Sequence, residues 1–176
     1  MMLKNIDLDK TEIIYSDKWF FILMAIITDR EVSIFLQEKK TLQNPLNPSF
    51  KDGRSSQKFE QEVEGENGNI FKIIIRISKF NPSDFSIILC VKIGNRLFRL
   101  KRYNGDSHQH TNRLENEKIN GCHIHQATER YQNNWFREED YAKQTNRYND
   151  WRKALEIMLG ENNFQLTVPE GQRRLF

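Results

Sequence analysis

Four histidines, His108, His110, His123 and His125, are the only ones in the chain, and all lie between positions 108 and 125. Imidazole titrates closer to neutrality than any other side chain and is the commonest metal ligand, so such a cluster points to proton, phosphate or metal handling. Each pair is spaced two residues apart, and in extended backbone residues two apart face the same side. If the segment Arg102 to Asn112 meets the segment Cys122 to His125, the four rings converge. A single histidine in a loop or strand ordinarily just satisfies hydrogen bonds, but that need gives no reason for all four to share one region.

Arg96, Arg99, Lys101, Arg102 and Arg113 crowd the same stretch, where a phosphate-binding surface needs cations; the plainer reading is a solvated edge strand guarded by charge. Histidines with arginines supply what metal-independent RNA cleavage requires: a base for the 2′-hydroxyl proton, an acid for the leaving oxygen and a cation for the phosphate. On this reading His110 with His123 or His125 are acid and base, Arg99 and Arg102 hold phosphate, and Tyr103 and Asn112 orient. No cofactor is needed. The alternative is that His108, His110, His123 and His125 bind a transition metal ion such as Zn, with Asp106 or Glu129 completing the site. A third reading is a binding protein of phage or mobile-element origin that engages a host factor through the basic strand and the aromatic stretch Tyr131 to Tyr141.

These residues must be held by a folded scaffold, and the composition supports one. The 176 residues are 38% hydrophobic and 29% charged, within the range of globular proteins, and suit a single domain over 1–176. The net charge of +3 is mild and both signs are interspersed, so bulk electrostatics argue only weakly for nucleic acid. Two cysteines are too few for a disulfide framework: Cys90 reads as a small buried hydrophobe, Cys122 should face away from His123 and His125, and a cytoplasmic setting follows. The apolar run Trp19 to Ile27 is shorter than a membrane span and has no cleavage signal behind it, so it reads as a core element.

The pattern predicts an α+β fold, an antiparallel β-meander of about five strands with an N-terminal and a C-terminal helix packed on it. Ser16 or Asp17 caps a helix from Lys18 to about Lys40. Residues 41–57 carry turn signals and little apolar content and read as a mobile loop. Strands are predicted at Phe59 to Glu64, Ile70 to Ser78, Phe85 to Ile93 and Arg96 to Tyr103. The last should set Leu97, Arg99 and Lys101 on one face, and Phe98, Leu100 and Arg102 on the other. The histidine segment follows as a loop, and Gly121 to Gln126 should pair beside the fourth strand. Residues 127–147 read as a loop or flap. Asn149 or Asp150 caps a closing helix that stops at Gly160, with Trp151, Ala154, Leu155, Met158 and Leu159 on one face, and the tail from Phe164 runs along the surface.

Arg99-Leu100-Lys101-Arg102-Tyr103-Asn104-Gly105, then His110-Thr111-Asn112, then His123-Ile124-His125, resemble the pattern of an uncharacterised family of small bacterial and phage proteins. The likeness covers about residues 57–126. More distantly, the layout is similar to the TumE-like toxins of bacterial toxin-antitoxin pairs, which implies an RNA-cleaving toxin with RNA as substrate and a cognate antitoxin as partner. The turn here reads Tyr103-Asn104-Gly105, with no Asp ahead of the Asn.

Overall fold

Thr28 starts the first helix in the computed structural model, which describes residues 26–167. Its hydroxyl accepts from the Glu31 N–H while the Glu31 carboxylate accepts from the Thr28 N–H, a reciprocal capping box that opens α1, Asp29–Gln37. A helix running on from Lys18 is therefore ruled out at residues 26–28. Ser16, Asp17 and most of the apolar run from Trp19 lie outside the described residues. None of the described helices is long and apolar enough to cross a membrane.

The fold is α+β. Its main sheet contains β2 (Lys51–Asp52), β3 (Ser56–Glu64), β4 (Ile70–Ser78), β5 (Phe85–Ile93), β6 (Arg96–Asn104), β9 (His123–Gln126) and β10 (Tyr141–Gln144). These seven strands are antiparallel throughout and run in the order β10-β9-β6-β5-β4-β3-β2. The central meander β3 to β6 follows the expected strands, and β9 lies beside β6 as the Gly121 to Gln126 reading requires. Alternation explains β4: Phe71, Ile73 and Ile75 are fully buried and their neighbours are not. In β5 every residue from Ile87 to Val91 is buried, because that strand is covered on both faces. Gly94, at φ +56°, makes the tight turn into β6 that only glycine enters without strain.

One irregularity in β6 determines what the site contains. Cys90 pairs with Arg99 but Leu89 pairs with Lys101, so Leu100 is an extra, bulged residue. Without it Arg102 would share a face with Phe98, as plain alternation predicts. With it, Lys101 and Tyr103 turn toward the face of Phe98, while Arg102 and Asn104 turn to the face of Arg99. On the first face lies α3 (Trp151–Glu161), capped by Asp150, whose Ala154, Leu155 and Met158 join Ile87, Leu89 and Val91 in the core. Gly160 lies inside this helix; the stop falls at Asn162 and at Asn163, whose φ is +55°.

Several segments expected to be irregular carry structure. β1 (Lys40–Leu42) pairs in parallel with β11 (Phe164–Leu166), so the start of the tail is a strand. In residues 41–57, Leu42 is buried and the Phe50 ring stands edge-on to Trp151 at 5.4 Å. The histidine loop is partly a hairpin, β7 (His110–Asn112) with β8 (Glu117–Ile119). Residues 127–147 hold α2 (Glu129–Asn133) and β10. Lys40 ties the helix ends together: its buried ammonium donates to the carbonyls of Phe35, Leu36, Glu38 and Asn162 at 2.7 to 3.2 Å and lies 4.3 Å above the Phe71 ring.

Candidate functional site

The register of β6 on β9 sets Asn104 opposite His123 and Arg102 opposite His125, and all four share the face away from α3. The β7–β8 hairpin then lays His110 over them, with Nε2 donating to the Asp140 carbonyl at 2.8 Å. The rings meet: His110 and His125 have centroids 4.5 Å apart, His123 and His125 4.9 Å, His110 and His123 5.6 Å in a near-parallel stack, and His108 and His123 5.5 Å. Bulge, strand pairing and hairpin together produce the convergence that spacing alone suggested.

Hydrogen bonding fixes the protonation of the inner pair. The Asn104 amide nitrogen approaches His123 Nε2 at 3.3 Å and His125 Nε2 at 3.2 Å, and an Arg102 guanidinium nitrogen approaches His125 Nε2 at 3.2 Å. Amide N–H and guanidinium N–H only donate, so both Nε2 atoms carry lone pairs and the ring protons sit on Nδ1. There they donate to the carbonyls of Gly121 at 2.7 Å and Glu139 at 2.9 Å. Asn104 is itself oriented, its Oδ1 accepting from the Ser86 hydroxyl at 2.8 Å. Burial disfavours the charged form of both rings, holding His123 below the usual histidine range and His125 down to about 2, with neighbouring cations adding to the effect.

The outer pair differs. His123 and His125 have no exposed surface, whereas His110 is half-buried and His108 is exposed. His108 Nδ1 lies 3.0 Å from Ser107 Oγ, which in turn donates to the Asp84 carboxylate at 3.3 Å, leaving His108 Nε2 uncommitted.

Of the other residues expected here, Arg102 alone among the cations touches the cluster. Its Nε is buried without a partner, as is Glu139 Oε2. Arg99 lies 3.9 Å from Glu138 and 3.8 Å from Glu139, so its charge is already met by carboxylates. Burial raises the Glu139 carboxyl above its ordinary value. Tyr103 is on the opposite face because of the bulge: its hydroxyl donates to Glu161 at 2.9 Å and accepts from Asn162 at 3.1 Å, so it orients nothing among the histidines. Asn112 acts as a clamp. Its amide accepts from the Ala142 N–H and donates to the Ala142 carbonyl, both at 2.9 Å, fastening the hairpin to the outer edge of β10. Arg113 stands over the Phe136 ring, and Lys101 faces α3.

Asn104 and Glu139 were missed by the sequence reading. For Asn104 the signal existed, since it follows Arg102 by two residues in the same strand. Glu139 had none, because its place depends on how residues 127–140 fold back over the sheet. Cys122 packs against the core, turned from His123 as expected, and both cysteines are free thiols.

Among the described residues no three His, Cys, Asp or Glu side chains are disposed around a common ion position. The guanidinium of Arg102 at His125 Nε2 also opposes a cation at that atom. Asp106 is exposed, and Glu129 begins α2 with its N–H bonded to Asp29.

Fold and site thus define an α+β protein whose antiparallel sheet carries, near one end, a four-imidazole cluster backed by an arginine. No family model, no curated protein and no solved structure matches this chain.

Proposed function

We propose that the cluster cleaves RNA by general acid–base catalysis, as a toxin-like ribonuclease. The observation that carries this reading is the contact of four imidazoles beside a half-buried guanidinium, with two rings at the surface and two fixed neutral behind them. The acid and base are His108 and His110, which reach solvent; His123 and His125 hold and back them.

His110, with Nε2–H engaged by Asp140, presents Nδ1 as the base that takes the 2′-hydroxyl proton. The 2′-oxygen attacks phosphorus, the bond to the 5′-oxygen breaks, and His108 Nε2 delivers the proton to that oxygen. The product is a 2′,3′-cyclic phosphate. Arg102 supplies positive charge to the phosphorane. Acid–base catalysis of this kind contributes about 10²- to 10⁴-fold per group.

The test is incubation of purified protein with end-labelled RNA, with and without a chelator. The expected result is chelator-insensitive cleavage, lowered at least about 100-fold by His108→Ala or His110→Ala. Intact RNA under every condition, or full activity in His110→Ala, removes the proposal. The same His110→Ala change should relieve any growth arrest caused by expressing the protein, and a cognate antitoxin is the partner such arrest calls for.

A further inference from the structure

The other face of the same sheet end is open. Directly paired residues share a face, so the register places Lys101, Gln126 and Tyr141 in one row and Tyr103, Ile124 and Lys143 in the next. α3 covers Tyr103 and Ile124 packs against the core, while Lys101, Gln126, Tyr141 and Lys143 border open space. This space forms a cleft of about 540 Å³, with Arg147 and Glu161 among its lining residues. Its charge is unbalanced: Lys101, Lys143 and Arg147 face the single carboxylate of Glu161, a difference of three minus one. Glu161 is already shared by Lys101 at 3.9 Å, Arg147 and the Tyr103 hydroxyl. Lys143 pairs with no carboxylate among the described residues and lies 5.9 Å from the Tyr141 ring.

Cations alternating with an aromatic ring and side-chain amides on an open sheet face are the components that single-stranded nucleic acid uses, phosphates on the charges and bases on the ring. We propose that this cleft binds single-stranded RNA, with Lys143 at a phosphate, a base on Tyr141 and Gln126 at the base edge. The choice of RNA rests on the cleavage reading above. The edge strand β10 connects the two places, because Lys143 and Gln144 both line the cleft while Gln144 is paired in register with His123. A strand of RNA wrapped around this edge passes from one to the other.

The experiment uses fluorescence anisotropy of a short labelled oligoribonucleotide on the His110→Ala protein, which keeps the probe intact. Lys143→Glu and Tyr141→Ala should each weaken binding by about 10-fold, and Lys143→Glu should also flatten the salt dependence. Affinities within about 2-fold of the parent for both variants, tighter binding of single-stranded DNA than RNA, or equal competition by polyglutamate overturn the proposal. Should Lys143→Glu lower the melting temperature, Lys143→Ser carries the same expectation without charge reversal. With all histidines intact, Lys143→Ser should raise KM and leave kcat. Binding that depends on Lys143 without cleavage removes the nuclease reading and keeps the cleft; cleavage with unchanged KM removes the cleft and keeps the nuclease.

Discussion

Asn104 is the residue on which the inner histidines depend. Its two amide hydrogens meet two Nε2 lone pairs, and its oxygen is held by Ser86, so no flipped amide serves as well. Asn104→Asp puts a carboxylate against both lone pairs. The variant should lose about 2 to 3 kcal/mol of stability in urea titration near neutral pH, because buried acceptors are left facing one another. The rings themselves set a pH dependence. With folded values below the unfolded 6.5, the unfolded state binds more protons in acid, so stability is full above that value and falls as pH drops toward the folded values. His125, held down to about 2 by burial, carries the decline furthest into acid. Urea titrations across this range should show the decline, and His125→Phe should make it shallower.

At the scale of elements, the site is assembled by a bulge, an edge strand and a hairpin. Asn112 closes the last of these by mimicking a strand partner for Ala142, which also caps an edge otherwise open to pairing with another chain. Asn112→Ala should speed hydrogen exchange at the Ala142 amide and cost about 1 to 3 kcal/mol, since two buried backbone groups lose their partners. Lys40 plays the comparable part at the helix ends. Lys40→Met keeps the apolar stem but strips four carbonyls, two of them buried, of a shared donor, and a loss of about 2 to 3 kcal/mol in thermal or urea unfolding is expected. An unchanged midpoint would show that water replaces the ammonium.

Over the whole molecule, what could be read in the sequence was what repeats locally. Ile70 to Ser78 and Phe85 to Ile93 carry long apolar patterns, and their strands fall where the patterns end. The pairing of β9 with β6 followed from Gly121 to Gln126 being short, flanked by polar loops and apolar only at Cys122 and Ile124. The bulge at Leu100 was not legible: nothing in Arg99-Leu100-Lys101 marks an extra residue, yet it sends Tyr103 away from the histidines and brings Asn104 to them. Equally hidden were β1 and β11, three-residue strands that pair with each other across more than a hundred positions. The polar stretch 127–147 lacked any period because its order comes from packing on the sheet, through Tyr131 and Ala142, and not from its own pattern.

The proposed chemistry needs a buried neutral pair of imidazoles behind an outer pair that meets the substrate. Long-range ¹⁵N–¹H spectra of the histidine-labelled protein, recorded from pH 8 to pH 5 with and without a 3′-mononucleotide, read both at once. The prediction is that both inner rings carry their proton on Nδ1 at pH 8 and that His125 keeps this form to pH 5, while His108 and His110 shift when the nucleotide is added. Protons on Nε2 of the inner rings, or four spectra indifferent to the nucleotide, would contradict it.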